Sequence, residues 1–383
     1  MDPFLSWSRR KQSAIIDLIR TFVECESPSD SPEAIDRFMT LLGDSVSDIA
    51  SVQRSAAGAF VCHFRLPDKK KPGRQTTGRI LALGHADTVW PLGTLSTMPF
   101  RSAKGRLWGP GVLDMKAGLV FFIFAMRALI ELDIEVPHEV VLLVNPDEET
   151  GSKRSRAGTE KLAKQSKAVL VLEPGTGLEG KAKTARKGIG AWDLKVRGVA
   201  SHAGVDFAKG ASAVIELARQ IERISGFTDL KRGITVNPGV IAGGTRSNVI
   251  ASEASAEIDM RVPCLADAKA IERKFRALKP FDKRCTLELT GGLNRPPMER
   301  TKGTVALFRL ARTLAADLGV DLEESSTGGG SDGNFTSALG IPTLDGIGAV
   351  GEGAHAAHES ILIGRIPDRV ALLAKLVREF AIS

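Results

Sequence analysis

The segment at residues 139–145 (EVVLLVN) constrains the fold of this chain more than any other. An uninterrupted run of valine and leucine of this length predicts a strand buried on both faces, as in a parallel sheet. Pro146 ends the strand, and Asp147, Glu148 and Glu149 follow it directly. Ligands of α/β proteins bind beyond the carboxyl ends of the strands. The acidic turn therefore has two interpretations: a solvated loop, or a site in which one glutamate holds a metal and the other moves a proton.

Length and charge define the broad class of protein. A chain of 383 residues exceeds the usual size of a single hydrophobic core, which predicts two domains. The net charge is +7, but basic residues are mixed with acidic ones, and the densest basic run, residues 68–74, predicts a solvated loop. The chain has no tyrosine and no basic patch interleaved with aromatic residues, so we expect no nucleic-acid binding.

The cysteines and the apolar segments indicate the cellular compartment of the protein. Cys25, Cys62, Cys264 and Cys285 are far apart and form no CxxC pair, which predicts reduced thiols rather than a zinc ribbon or a disulfide framework. The N-terminus lacks the pattern of a signal peptide, and the longest apolar stretch, residues 119–130, is too short to span a bilayer. We therefore expect a soluble, cytoplasmic protein that binds no membrane.

The order of predicted elements indicates one domain inserted into another. Up to about residue 185, strands alternate with helices, which predicts an α/β domain with a mostly parallel sheet and helices on both faces. The order then becomes β-α-β-β-α-β, the split βαβ arrangement of ferredoxin-like domains. Gly291, Gly292, Pro296 and Pro297 predict the hinge back to the first domain. We predict a catalytic domain in two segments, residues 1–186 and 296–383, and an inserted α+β domain at residues 187–295.

Side chains that bind metals follow several of the predicted strands. Besides Glu148 and Glu149, they are His85 and Asp87, Asp114, Glu173, and one of His355 and His358. Carboxylates that converge in one pocket cannot all stay ionised without compensation, and divalent cations supply it. A mixture of imidazole and carboxylate ligands suits zinc, and more ligands than one tetrahedral site needs favour a two-metal centre. A histidine after a strand is, on its own, more often structural than a metal ligand. A nearby carboxylate such as Asp87 favours the interpretation of His85 as a ligand, because metal-bound imidazoles usually donate their other N–H to a carboxylate.

Five motifs carry a resemblance to a known family. They are residues 84–89 (GHADTV), 108–118 (WGPGVLDMKAG), 145–152 (NPDEETGS), 172–174 (LEP) and 200–204 (ASHAG). In this order they resemble the motifs of the co-catalytic zinc exopeptidase and deacylase family. That family contains bacterial glutamate carboxypeptidase, acetylornithine deacetylase and succinyl-diaminopimelate desuccinylase. Five motifs in one order over nearly the whole chain are specific, where any one alone would not be.

The resemblance implies a role for each metal-type side chain. His85 and Glu173 would bind one zinc, Glu149 and His355 the other, and Asp114 would bridge both, with cobalt or manganese as alternative metals. Asp87 would orient His85, and Glu148 would be the general base that deprotonates the metal-bound water. His355 is preferred to His358 because the family's histidine precedes a glutamate by four residues, as His355 precedes Glu359. The reverse assignment of the two histidines stays open.

The resemblance also implies residues that bind the substrate. His202, in the inserted domain, would meet the oxyanion across a dimer interface; without the resemblance, it would be interpreted as a turn histidine that caps the following helix. The implied substrate-binding residues are Asn248, Arg261, Gly329, Gly330 and Ser331, with Lys181 for an acidic side chain. The sequence departs from the glutamate carboxypeptidase pattern at residues 183–188, which leaves the side-chain specificity open.

Together, these features predict a zinc-dependent hydrolase of the amide bond in a small N-acyl or peptidyl amino acid. The resemblance implies release of a C-terminal glutamate and a homodimer formed through the inserted lid and dimerisation domain. Glu173 favours the glutamate carboxypeptidase branch, because many deacylases of the family have aspartate there. The alternatives are a deacylase for an N-acetyl or N-succinyl amino acid, and a non-catalytic peptide-binding protein with the same fold.

Overall fold

The computed structural model describes residues 2–68 and 78–380. The predicted basic loop at residues 68–74 therefore lies, apart from Asp68, outside the described residues. The chain forms two compact units. The large unit consists of Met1–Ala185, Arg300–Thr327 and Ser331–Ser383, and the small unit consists of Arg186–Glu299 with Gly328–Gly330.

The described residues fold into α-helices and β-strands joined by turns and short irregular segments. The α-helices are α1 (Pro3–Arg10), α2 (Gln12–Glu24), α3 (Pro32–Val46), α4 (Ala117–Glu131), α5 (Arg156–Lys164), α6 (Ala213–Ser225), α7 (Leu265–Arg276), α8 (Lys302–Ala316), α9 (Gly333–Ala338) and α10 (Ile366–Glu379). The strands are β1 (Ala50–Arg54), β2 (Phe60–Phe64), β3 (Arg79–His85), β4 (Arg101–Ala103), β5 (Arg106–Trp108), β6 (Glu139–Asn145), β7 (Ala168–Val171), β8 (Ala182–Arg186), β9 (Gly188–Arg197), β10 (Thr235–Gly243), β11 (Glu253–Val262), β12 (Thr286–Arg295), β13 (Glu324–Thr327), β14 (Thr343–Leu344), β15 (Gly351–Glu352) and β16 (Ser360–Leu362).

The main sheet of the large unit confirms the predicted, mostly parallel architecture. Its strand order is β1-β2-β6-β3-β7-β14. Strands β6, β3, β7 and β14 run parallel, whereas β1 and β2 are antiparallel at one edge. Past its first residue, the segment at residues 139–145 is buried throughout, as predicted for a central strand. Helix α4 is apolar nearly all round and packs against α10 in the core.

The register of this sheet brings three strand ends to one edge. His85, the last residue of β3, is opposite Asn145, the last residue of β6. Leu83 of β3 is opposite Val171, the last residue of β7. Because these strands are parallel, the residues that follow them emerge on the same side, where α/β proteins bind their ligands.

The small unit has the predicted β-α-β-β-α-β order. Its sheet is antiparallel, with strand order β10-β11-β9-β12. Alternate residues of β9 are buried, and Trp192 stacks on Phe275 of α7 with ring centroids 4.7 Å apart. This arrangement buries one face of the sheet under the helices.

The predicted hinge at Gly291 and Gly292 is wrong, because both residues lie inside β12 and pair with β9. Gly291 has a φ of 117°, and a Cβ atom there would come within 2.2 Å of the carbonyl oxygen of Ala191. Glycine at this position therefore permits close approach of the two strands. Pro296 follows the last residue of β12 directly.

Within the described residues, no helix is both long and apolar enough to cross a membrane. The four cysteines are free thiols; Cys62 and Cys285 are buried, and Cys25 and Cys264 are partly exposed.

Candidate metal centre

Six carboxylate and imidazole side chains converge at the carboxyl edge of the main sheet. They are His85, Asp114, Glu148, Glu149, Glu173 and His355, all of the large unit. Ligand atoms of His85, Glu148 and Glu173 lie within 4.8 Å of one another, and so do those of His85, Asp114 and Glu149. The long-range convergence on which the sequence prediction depended is therefore present in the fold.

Asp114 lies at the middle of this cluster, in the irregular turn Val112–Lys116 that leads into α4. Its Oδ1 is 3.2 Å from Nε2 of His85, and its Oδ2 is 3.4 Å from Nε2 of His355. The same Nε2 of His85 lies 3.6 Å from Oε1 of Glu173, and that of His355 lies 3.2 Å from Oε1 of Glu149. Each oxygen of Asp114 thus faces one imidazole, and each imidazole faces one further carboxylate, an arrangement in which Asp114 could bridge two cations.

Asp87 connects the ends of β3 and β6, which carry His85 and the acidic turn of the cluster. Nδ1 of His85 donates to the backbone oxygen of Asp87 at 2.9 Å and lies 3.5 Å from its carboxylate. Nε2 of His85 is therefore left to face the cluster. The Asp87 carboxylate accepts hydrogen bonds from the backbone N–H of Glu148 at 3.0 Å and of Glu149 at 3.1 Å, and from the hydroxyl of Ser29 at 2.9 Å. The closest contact of His85 is thus to the backbone of Asp87, while the side chain of Asp87 fixes the acidic turn.

The acidic turn after β6 is a closed structure rather than a solvated loop. Backbone hydrogen bonds join Gly151 N–H to the oxygen of Glu148, and Ser152 N–H to the oxygen of Asp147. The buried carboxylate of Asp332 accepts from the hydroxyl of Ser152, and from the side-chain amide of Asn145 at 2.6 Å. Asp147 is buried, and Glu148 is only partly exposed. The turn is therefore anchored by its own backbone hydrogen bonds and by the buried Asp332.

The electrostatics of the cluster favour bound positive charge. Burial opposes the charge of His85, yet the carboxylates of Asp114, Asp87 and Glu173 raise the pKa of His85 well above its usual value. Hydrogen bonds that the imidazole donates to Asp114 and Glu149 raise the pKa of His355 to about 10. Although burial favours the neutral acid, the two imidazoles hold the pKa of Asp114 well below its usual range. In the absence of metal, protons on the imidazoles provide part of the compensation that divalent cations supply better.

His355, and not His358, makes the contacts of this cluster among the described residues. Both histidines lie on the segment between β15 and β16, and both are exposed. Nε2 of His355 reaches Glu149 and Asp114. His358 has no hydrogen bond or ion pair described to any residue of the cluster.

Two predicted substrate-binding residues of the large unit already have protein partners. The Lys181 ammonium forms an ion pair with Glu323, and both side chains are partly exposed. The hydroxyl of buried Ser331 donates to Oδ2 of Asp345 at 2.6 Å and accepts from the backbone N–H of Gly333 at 3.1 Å. For Lys181 to bind a substrate carboxylate, that carboxylate would have to replace or share the partner Glu323.

The remaining predicted substrate-binding residues lie in the small unit. His202 and Asn248 are on adjoining segments, since Ala203 N–H donates to the backbone oxygen of Asn248. Nδ1 of His202 accepts from the backbone N–H of Gly204 at 3.1 Å. Arg261 forms an ion pair with Asp259 at 2.9 Å.

Sequence reasoning missed Arg186, which the structure places beside Gly329 and Gly330, two of the predicted substrate-binding residues. Arg186 is buried, and its Nη1 donates to the backbone oxygens of Gly329 at 3.2 Å and Gly330 at 2.9 Å. Arg261 donates to the next carbonyl, that of Gly328, at 3.3 Å. No local pattern marks such an arginine, because its acceptors are backbone carbonyls more than 140 residues away.

A mostly parallel α/β sheet with this donor set at its carboxyl edge is the architecture of a metal-dependent hydrolase. Residues 81–379 match the family described as Peptidase family M20/M25/M40. The chain belongs to this family of metallopeptidases and deacylases.

Two curated relatives align with almost the whole chain. Carboxypeptidase G2 of a Pseudomonas species is 27% identical over 376 residues, covering 96% of this chain and 90% of the relative. Succinyl-diaminopimelate desuccinylase of Cereibacter sphaeroides is 27% identical over 395 residues, covering 95% of this chain and 98% of the relative.

Solved structures of the family share the fold. Aminopeptidase PepT of Bacillus cereus has a TM-score of 0.79 at 22% identity and covers 96% of this chain and 98% of its own. The YXEP protein of Bacillus subtilis, described as a dinuclear metal-binding peptidase of the M20 family, has a TM-score of 0.69 at 13% identity. It covers 97% of this chain and 100% of its own.

Proposed function

We propose that this protein is a two-zinc exopeptidase that hydrolyses the amide bond of an N-acyl or peptidyl amino acid and releases a C-terminal glutamate. The observation that carries the proposal is the position of Asp114, whose two carboxylate oxygens face His85 and His355. In this assignment His85 and Glu173 would bind one zinc, Glu149 and His355 would bind the other, and Asp114 would bridge them. The donor set of imidazole nitrogen and carboxylate oxygen fits zinc.

The acidic turn provides the group that moves the proton. Bound zinc supplies a Lewis acid for the scissile carbonyl and lowers the pKa of a water molecule. A carboxylate oxygen of Glu148 lies within 4.8 Å of ligand atoms of His85 and Glu173, and we assign Glu148 as the general base. Glu148 takes the proton of the water and delivers it to the leaving amine. Asp87 keeps Glu148 in place through the backbone, and it accepts a backbone hydrogen bond from Glu149 as well.

Substrate recognition is proposed for the residues that the family resemblance implies. His202, contributed by a partner protomer, would stabilise the oxyanion. Arg261 and Asn248 would bind the C-terminal carboxylate and the reacting carbonyl, the backbone of Gly329, Gly330 and Ser331 would contact the substrate, and Lys181 would bind an acidic side chain. The alignment with carboxypeptidase G2 over nearly the whole chain supports this choice.

A second candidate function is deacylation of an N-succinyl or N-acetyl amino acid. The alignment with succinyl-diaminopimelate desuccinylase, which covers 98% of that relative, favours it. The ion pair between Lys181 and Glu323 also favours it, because a lysine held by glutamate is less available to an acidic substrate side chain.

We further propose that the protein is a homodimer formed through the small unit. Strand β10 is at the edge of its sheet, and an exposed edge strand offers backbone groups for pairing with a second chain. Val240 and Ile241 on this strand are 54% and 65% exposed. Sedimentation of wild-type protein should give the mass of a dimer, and Ile241→Lys should shift it toward the monomer. A monomeric wild type would refute the proposal.

One experiment tests the catalytic proposal and separates the two functions. Purified protein is analysed for zinc and assayed with N-acyl-glutamate, acetylornithine and succinyl-diaminopimelate side by side. We expect two zinc ions per chain and the highest kcat/KM for the glutamate substrate. Glu148→Gln should abolish turnover without loss of zinc, whereas Glu160→Gln, which changes a surface pair with Arg156, should leave both unchanged. Turnover by Glu148→Gln at the wild-type rate would overturn the assignment of the base.

A further inference from the structure

The buried carboxylate of Glu359 holds the turn that carries Asp114. Its Oε1 accepts hydrogen bonds from the backbone N–H of Leu113 at 2.8 Å and of Asp114 at 3.0 Å. Its Oε2 accepts from the backbone N–H of Gly111 at 2.9 Å and from the indole N–H of Trp90 at 2.7 Å. A carboxylate offers about four acceptor positions, and here four N–H donors use them. Glu359 therefore has no lone pair left for a metal or a substrate proton.

These four hydrogen bonds join three segments of the chain that contribute to the metal centre. Trp90 follows His85 by five residues, Asp114 itself donates one of the bonds, and Glu359 follows His355 by four residues. His85, Asp114 and His355 are thus each at most five residues along the chain from a group that takes part in the hydrogen bonds of Glu359. A displacement of Glu359 would move the backbone of Asp114 relative to both imidazoles.

We infer that Glu359 is a positioning residue that sets the carboxylate of Asp114 between His85 and His355, and that it does so through backbone N–H groups. This inference rests on the proposed two-metal function. It assigns Glu359 no contact with metal or substrate. The role requires two acceptor oxygens, one for the N–H groups of Leu113 and Asp114 and the other for those of Gly111 and Trp90.

Glutamine has the size of glutamate but has only one acceptor oxygen. Its amide presents one acceptor oxygen and one NH₂ group, and the NH₂ group would face two N–H donors. Either Leu113 and Asp114, or Gly111 and Trp90, would lose their acceptor. Glu359→Gln should therefore perturb the turn although it changes the shape of the side chain very little.

The test measures zinc binding to the full-length, chelator-stripped protein as well as turnover. Loss of a partner that orients a metal ligand costs about 10- to 100-fold in metal affinity. For Glu359→Gln we expect a loss of at least about tenfold for the weaker zinc, with kcat reduced and KM little changed. Trp90→Phe removes one donor and keeps the three backbone bonds, so its zinc affinity should fall between wild type and Glu359→Gln. Glu352→Gln, which changes a partly exposed glutamate paired with Arg106, is the matched control and should bind zinc as wild type does.

Melting curves with and without zinc distinguish positioning from a purely structural role. If Glu359 positions Asp114, the variant loses most of the rise in Tm that zinc gives to wild type. If Glu359→Gln lowers the Tm of the metal-free protein but binds zinc with wild-type affinity, the inference is overturned. If Glu359→Gln does not fold, wild-type zinc affinity in Trp90→Phe overturns it instead. Wild-type protein that binds no zinc would refute the proposed function, and this inference with it.

Discussion

Zinc uptake by the candidate centre should release about two protons at neutral pH, and the structure gives the reason. Nε2 of His85 and of His355 each face carboxylates, which raise the pKa of both imidazoles far above their usual value, to about 10 for His355. We therefore expect both rings to carry two ring protons at pH 7 in the metal-free protein. Each ring must lose the proton on Nε2 before that nitrogen can bind a cation.

The magnitude follows from this proton count. Each proton released makes the apparent affinity for the zinc that displaces it rise about tenfold per pH unit. Because the two imidazoles bind different zinc ions, each ion should bind about tenfold more tightly at pH 8 than at pH 7, and the product of the two binding constants should rise about a hundredfold. Calorimetric titrations of zinc into metal-free protein, in two buffers with different enthalpies of ionisation, give the number of protons directly. His355→Gln should lower that number by about one, because one imidazole is removed.

His358 provides the control for this experiment. It is three residues from His355 and exposed, but it makes no described contact with Asp114 or Glu149. His358→Gln should leave the proton count unchanged. Zinc binding without proton release would refute the electrostatic reasoning, and a lower count in His358→Gln would reverse the assignment of the two histidines.

Two further predictions concern stability. In the metal-free protein, the contacts of His355 with Asp114 and Glu149 raise its pKa from the ordinary 6.5 to about 10. The contribution of His355 to the free energy of unfolding is therefore complete below about pH 6.5 and disappears as the pH rises through about 10. Urea unfolding across this range should show the loss in wild type but not in His355→Gln. Gly118→Ala should lower the free energy of unfolding by at least about 2 kcal/mol, because a Cβ atom there would come within 2.1 Å of the backbone oxygen of Leu172. Gly158→Ala, in α5 with no atom within 4 Å of the added Cβ, should raise it by about 0.5 to 1 kcal/mol, and equal effects of the two substitutions would contradict the packing argument.

The sequence was most informative where a structural feature depends on neighbouring residues. The apolar run of β6 and the proline after it predicted a buried strand and the start of the acidic turn. Alternation and helical spacing predicted the β-α-β-β-α-β order of the small unit. Short strands were missed: β15 has two residues and β16 has three, too few for any periodicity to show.

Contacts between distant residues were beyond the reach of sequence patterns. The ion pair of Lys181 with Glu323 involves two residues that are ordinary surface residues in their own segments. Arg186 binds backbone carbonyls, and a carbonyl has no signature in a sequence because every residue has one. The hinge predicted at Gly291 failed for a related reason, because close approach of a neighbouring strand requires glycine just as a turn does.

Asp87 and Glu359 both hold the backbone of residues that belong to the cluster. Asp87 accepts the backbone N–H groups of Glu148 and Glu149, and Glu359 accepts that of Asp114. Carboxylates that repel one another would move apart if only their own side-chain contacts held them. Backbone hydrogen bonds to two buried carboxylates oppose that movement, because they fix the main chain from which the cluster projects. The cluster of facing imidazoles and carboxylates is thus held by the metal-free fold itself, which favours bound positive charge at this position.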